Sequence, residues 1–234
     1  MNRGSTDAPH HRAIFAVDIE GSTTRNNTAK AGLRDAMYEL VERALADSGI
    51  TAEYLDPLVD RGDGILTLVR PVDEVPKTLL LSAVVPTLAE LLAGYNESRR
   101  PDGRLRLRAV LHAGEVHHDG RAPFGEALDI AFRLLDAPEV KQAFRMCTGP
   151  LLLVVSDDIY KTIVRHGYDG IDERAFSLVA DVLVAGQRHR GWVCLPNARS
   201  TTETPQLSDV YVKPAAAQRI VKAAHRFDER KHVV

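Results

Sequence analysis

The stretch HRAIFAVDIEGST, residues 11–23, constrains the fold most. Residues 11–19 read as a strand, and Ala13 to Val17 is too apolar to lie anywhere but in a core. Asp18 stands at the end of that run. A carboxylate is expensive to bury without a partner, so the strand must carry Asp18 to an edge of the sheet where a cation or donors can meet it. Gly21, Ser22 and Thr23 follow closely. Such small residues let a phosphate approach the backbone, and N–H groups ahead of a helix suit an anion.

A second acid has the same character. Tyr54 to Arg61 and Ile65 to Arg70 read as two strands joined at Gly62-Asp63-Gly64, and an Asp-Gly pair between apolar runs is a hairpin signal. A hairpin laid beside the first strand would bring Asp63 to Asp18. Two carboxylates make a partial cage for a hard divalent ion such as Mg²⁺, which leaves its other positions to water and phosphate. A third segment, GEALDIAFRLLDA at 125–137, reads as a helix. It sets Asp129 and Arg133 one turn apart on one face, with Arg133 suited to neutralising charge at a reacting phosphorus.

The remaining chain supplies the scaffold. Lys30 to Ala46 reads as an amphipathic helix stopped by Gly49, with Ser22, Thr23 or Asn27 as its N-cap. Pro76 opens a helix to Asn96 that Pro86 should kink, Leu105 to Val116 is a strand, and 124–144 is a helix broken near Pro138. LLLVVSD is a core strand followed by a helix capped by Asp157. Strands 176–183 and 189–195 close a hairpin at Ala185-Gly186. The order β α β β α β α β α β β predicts an α+β or α/β layer fold around one sheet. Residues 1–10 are expected to be a loose terminus, 11–196 the folded domain, and 197–234 an extension with a helix over Pro214 to Phe227.

The chain has 234 residues, 44% of them apolar, which suffices for a sizeable core. Its formal net charge of −2 provides no global basic field, so neither nucleic acid nor an acidic membrane is an expected partner. Thr78 to Tyr95 is the most apolar stretch, but Ser82, Pro86 and Glu90 interrupt it, and a buried helix is expected rather than a membrane span. The N-terminus lacks an apolar leader, and Cys147 and Cys194 read as reduced thiols, so the expected location is cytoplasmic. His112, His117 and His118 do not form a metal cluster on a strand, because His117 faces away from the other two.

The segments FAVDIEGST, DRGDGILTLV, LRAVLHAGEV and GEALDIAFRLLDA resemble, in order and spacing, the four core segments of class III nucleotidyl cyclases, over roughly residues 12–195. The resemblance implies a central, mostly antiparallel sheet flanked by helices. It implies two divalent metal ions, Mn²⁺ or Mg²⁺, held by Asp18, Asp63 and the backbone carbonyl of Ile19, with Gly21, Ser22 and Thr23 on substrate phosphate. Arg133 matches the arginine that stabilises the transition state. It also implies a head-to-tail homodimer whose two active sites each take the metal aspartates from one chain and Arg133 from the other. Purine-specific members carry a Lys four residues before the second aspartate, and an Asp or polar equivalent seven before the asparagine of the helix motif. Here those positions are Val59 and Ala122, and the asparagine is Asp129.

The stretches YLDPLVDRGDG, LHAGEVHHDG and AFRLLDAPEVKQAF look like the bacterial Pycsar pyrimidine cyclases, which make cyclic UMP or cyclic CMP as an anti-phage signal. That resemblance implies a cytoplasmic uridylate or cytidylate cyclase acting on a nucleoside triphosphate, with uracil favoured. Tyr54, Arg61 and Asp129 are then the candidates for base or ribose contacts. A purine cyclase and a catalytically inactive nucleotide-binding module of the same fold are the alternatives.

Overall fold

The computed structural model describes residues 8–196. The helix expected over Pro214 to Phe227 lies outside the described residues.

Strand β1 (His10–Ile19) is central. It pairs antiparallel with β3 (Gly64–Val69) on one side and with β4 (Leu107–His118) on the other. The short β2 (Val59–Asp60) pairs with β3 and completes the expected hairpin, although the strand is far shorter than the predicted 54–61. Beyond β4 lie β6 (Leu151–Ser156), β8 (Gln187–Cys194) and β7 (Ser177–Val184), giving the order β2-β3-β1-β4-β6-β8-β7. A short strand that the sequence reading missed, β5 (Pro123–Phe124), pairs with the end of β4. Among the described residues only β4 and β6 pair in parallel; the other pairings are antiparallel.

Alternation along β1 gives the sheet two apolar faces. Ala13, Phe15 and Val17 point to the face covered by α1 (Asn27–Asp47) and by the helix spanning Lys77–Glu97. Ile14 and Ala16 point to the face covered by α4 (Glu126–Asp136) and α5 (Pro138–Arg145). The chain breaks between α4 and α5 because Pro138 has no N–H to continue the ladder. The Lys77–Glu97 helix comprises α2 (Lys77–Leu79), a π turn (Leu80–Val84) and α3 (Val85–Glu97). The ladder loosens just ahead of Pro86, where a donor is missing. By length and composition this helix could cross a bilayer; here Leu80, Val84, Leu88 and Leu92 are fully buried in the core.

The capping residues differ from expectation. Asn26, not Ser22, Thr23 or Asn27, caps α1 by accepting from the amide of Ala29. Ser156, not Asp157, caps α6 (Asp157–Thr162). The closing hairpin turns at Ala185 and Gly186, whose φ values of 48° and 78° are those of a type I′ turn.

Candidate active site

The register explains how the chemistry assembles. Asp18 is the last even-numbered residue of β1, so it faces the α4 and α5 side, opposite Gly64 on β3 and Arg108 on β4. Gly64 has no side chain, and β3 can therefore lie close against Asp18. Arg108 Nε and Nη2 donate to Asp18 Oδ1 and Oδ2 at 2.9 and 2.6 Å, a two-pronged clasp. Both side chains are largely buried. Burial pushes the Asp18 carboxyl up to about 6; Arg108 pulls it down, while Asp136 and Asp63 add to the rise.

Asp63 occupies the hairpin tip, where its backbone carbonyl accepts from the amide of Ile19 at 2.9 Å. This bond ties the hairpin to the end of β1. Ser22 Oγ donates to Asp63 Oδ2, which ties the following loop to the same carboxylate. Gly21, at φ 68°, turns the chain into the 3₁₀ turn Ser22–Thr24. Hydrogen bonds within that turn begin with the amide of Thr24, so those of Ser22 and Thr23 find no carbonyl inside it.

Asp18, Ile19, Gly21, Ser22, Thr23 and Asp63 thus line one cleft of about 630 Å³. Among the described residues no group of three His, Cys, Asp or Glu converges. The donor set is a pair of carboxylates, one of them held at a raised proton affinity by burial even with an arginine beside it. This chemistry fits a hard divalent cation that takes its other ligands from water and phosphate.

Arg133 and Asp129 do not join this cleft. They are exposed on α4 and line an adjacent cleft of about 790 Å³. The guanidinium of Arg61 lies 3.7 Å from the centre of the Phe132 ring, and both residues line both clefts, so the pair forms the partition between them. Arg133 makes no ion pair or hydrogen bond among the described residues, and Asp129 does not pair with it. Within one chain, therefore, Arg133 and the carboxylates face different spaces.

Tyr54 is a correction. It sits in a 3₁₀ turn (Ala52–Tyr54), not on a strand leading to Asp63, and packs against the core. Its carbonyl accepts from the amide of Arg70, and Leu55 bridges Val69 at the far end of β3. Six strand residues separate it from Asp63, about 20 Å at the usual rise. The sequence reading also missed Arg108, although a signal was available: in LRLRAV an arginine falls at an inward position of an apolar strand.

His112 is a correction, since a strand position that reads as polar-face is buried in the structure. His112 is buried and hydrogen-bonded to Ser156 at 2.8 Å, and His117 stacks on Phe124.

Neither a protein-family model nor a curated protein sequence matches the chain. Solved structures match its fold. An adenylate/guanylate cyclase/hydrolase from Silicibacter pomeroyi superposes with a TM-score of 0.57 at 21% identity, over 81% of this chain and 98% of that one. The guanylyl cyclase Cya2 gives 0.54 at 13% identity, covering 85% and 98%. The adenylyl cyclase CyaB from P. aeruginosa gives 0.51 at 14% identity, covering 82% and 96%. The fold is that of class III nucleotidyl cyclase catalytic domains. The α+β architecture expected from the four motifs is therefore the one observed.

Proposed function

We propose that this chain is a nucleotidyl cyclase converting a pyrimidine nucleoside triphosphate, UTP in preference to CTP, to its 3′,5′-cyclic monophosphate and pyrophosphate. The observation that carries the reading is the meeting of Asp18 and Asp63 at the β1–β3 edge, beside the Ser22–Thr24 turn, on a sheet of cyclase topology.

Asp18, Asp63 and the Ile19 carbonyl would hold two divalent ions, Mn²⁺ or Mg²⁺. Bound there, the ions would supply charge neutralisation and lower the pKa of the ribose 3′-hydroxyl. The protein's own residues do the rest by placement. The amides of Ser22 and Thr23 orient the triphosphate. The 3′-oxygen then attacks the α-phosphorus in line, a P–O bond forms, and the bond to the β-phosphate oxygen breaks. The hydroxyl proton leaves to water and pyrophosphate departs. Attacker and target belong to one molecule, so catalysis is mainly orientation and charge stabilisation. Arg133 faces away from its own chain's carboxylates, and this supports a head-to-tail homodimer in which a second subunit supplies Arg133 to each site.

Pyrimidine selection draws support from two side chains. Val59, on β2, packs against the apolar cluster under α4, and Ala122 carries no polar side-chain atom, so the polar pair of the purine enzymes is missing. Arg61 and Asp129 remain the base or ribose candidates. The Pycsar resemblance extends the reading to a cytoplasmic second-messenger enzyme of anti-phage defence. A silent nucleotide-binding module is the competing reading, and the clasp of Arg108 on both Asp18 oxygens favours it. Incubation with ATP, GTP, CTP or UTP and Mn²⁺ or Mg²⁺, read by mass spectrometry, separates these. Cyclic UMP or CMP is expected; a cyclic purine refutes the base assignment; bound nucleotide with no product in any tube refutes the cyclase.

A further inference from the structure

Helix α5 forms an additional wall of the carboxylate cleft, and that wall is basic. Lys141 and Arg145 are four residues apart, hence on one face, and both line the cleft that holds Asp18 and Asp63. Val140, Ala143 and Phe144 are buried on the other side. Lys141 Nζ lies 2.7 Å from Asp136 Oδ1. Arg145 has no acceptor or carboxylate partner among the described residues.

The wall is fixed relative to the carboxylates. Arg106, just ahead of β4, donates from Nη2 to the carbonyls of Phe144 and Cys147, each at 2.7 Å, and from Nε to that of Gly149 at 3.2 Å. Its guanidinium lies 4.0 Å from the centre of the Phe144 ring, and Nη1 lies 2.7 Å from Glu20 Oε2. Glu20 is two residues beyond Asp18. One side chain therefore ties the C-terminal end of α5 to the turn just beyond the strand that carries Asp18.

The charges are unequal. Among the described residues, Arg25, Arg61 and Arg145 of the cleft lining have no carboxylate partner, and Asp63 is the one lining carboxylate without a cation. A ligand that suits this surface carries several negative charges along its length.

We propose that Lys141 and Arg145 clamp the terminal phosphates of a nucleoside triphosphate from the same chain that holds the metal-binding carboxylates. The identity of the ligand rests on the cyclase reading. Arg145 is the free arm of the clamp. Asp136 holds Lys141 at the mouth until phosphate oxygens compete for it, a charge-assisted exchange.

Inorganic tripolyphosphate with Mg²⁺ is the probe, titrated calorimetrically into wild type, Arg145→Ala, Lys141→Ala, the double variant and Arg145→Lys. Arg43→Ala, on α1 and remote from the cleft, is the charge control. Loss of one charge-assisted contact is expected to weaken tripolyphosphate binding about tenfold or more. The double variant should lose more, Arg145→Lys should recover part, and Arg43→Ala should match wild type. With nucleoside triphosphate, kcat/KM should fall by at least that factor, because the clamped phosphates depart as pyrophosphate and gain charge in the transition state. All substitutions lie on half-exposed or exposed helix positions, and a circular-dichroism melt checks that they fold. Unchanged tripolyphosphate binding in the double variant overturns the clamp and leaves the cyclase standing. Arg145-dependent binding without turnover of any nucleotide keeps the clamp and discards the cyclase. A wild type that neither binds tripolyphosphate nor turns over nucleotide overturns both.

Discussion

Replacing Gly64 with alanine probes the register that brings the carboxylates together. A Cβ at Gly64 would fall 2.5 Å from the carbonyl oxygen of Val17 and 3.4 Å from Asp18 Cβ. Carbon and oxygen normally approach no closer than about 3.3 Å, so one strand must move by roughly 0.8 Å. The obstacle is backbone in the middle of a sheet, hydrogen-bonded to β3 and β4, and no rotamer change can absorb it. Overpacking of this kind costs about 1–3 kcal/mol. For a chain of this size the melting temperature should fall by roughly 2–12 °C. Because the displaced residue is Asp18, turnover should fall by about 100-fold, the usual effect of a misplacement near 1 Å. Gly32→Ala is the control: it lies in α1, its Cβ would meet nothing within 4 Å, and it should stabilise by up to about 1 kcal/mol. Thermal melts and pyrophosphate release read the two effects separately. Wild-type melting and turnover in Gly64→Ala would refute the register argument.

Asp63→Asn should fold normally, since Asp63 is exposed with Ser22 as its side-chain partner, yet lose metal-dependent turnover; a collapsed melting curve would instead assign Asp63 to the turn. Arg133→Ala should lose about two to three orders of magnitude in rate, and an unaffected rate would remove it from the mechanism. Mixing Arg133→Ala with Asp18→Asn should restore roughly a quarter of wild-type activity, because half the exchanged dimers keep one intact site; no recovery despite subunit exchange would exclude shared sites. Burial holds His112 down at about 4, against an upward pull from Asp158, while in the unfolded chain it titrates near 6.5. The unfolded state takes the proton first, so stability should be lost as pH falls from about 6.5 through 4, by up to the order of 3 kcal/mol. His112→Gln should flatten that dependence in urea melts, and an identical loss in both proteins would dismiss the histidine.

The pairing of Asp18 with Asp63 was legible because both ends are set locally. An apolar run fixes where β1 stops, and an Asp-Gly turn fixes the hairpin tip. Tyr54 was misplaced because strand propensity cannot see that Ala52–Tyr54 curls into a 3₁₀ turn, with Pro57 unable to donate to a ladder. Arg108 and α5 depend on contacts between residues far apart in sequence, which periodicity does not encode. Lys141 and Arg145 read as ordinary surface charge until the fold turns them toward the carboxylates. The capping errors ran from one residue, at Asn27 and Asp157, to four, at Ser22, because Ser22, Thr23, Asn26 and Asn27 are all able to cap and only backbone geometry separates them.

The central place of β1 bears on how the molecule is made. It is made before both of its neighbours: β3 follows within about fifty residues, but β4 emerges about ninety residues later. Until then one edge of an apolar strand stands open on the ribosome, and the distant pairing makes this a slow step in folding. The same delay withholds Arg108 from Asp18. A nascent chain therefore cannot bring Arg108 to Asp18 before most of the domain has left the exit tunnel, and the carboxylate cleft takes shape only when the sheet has closed.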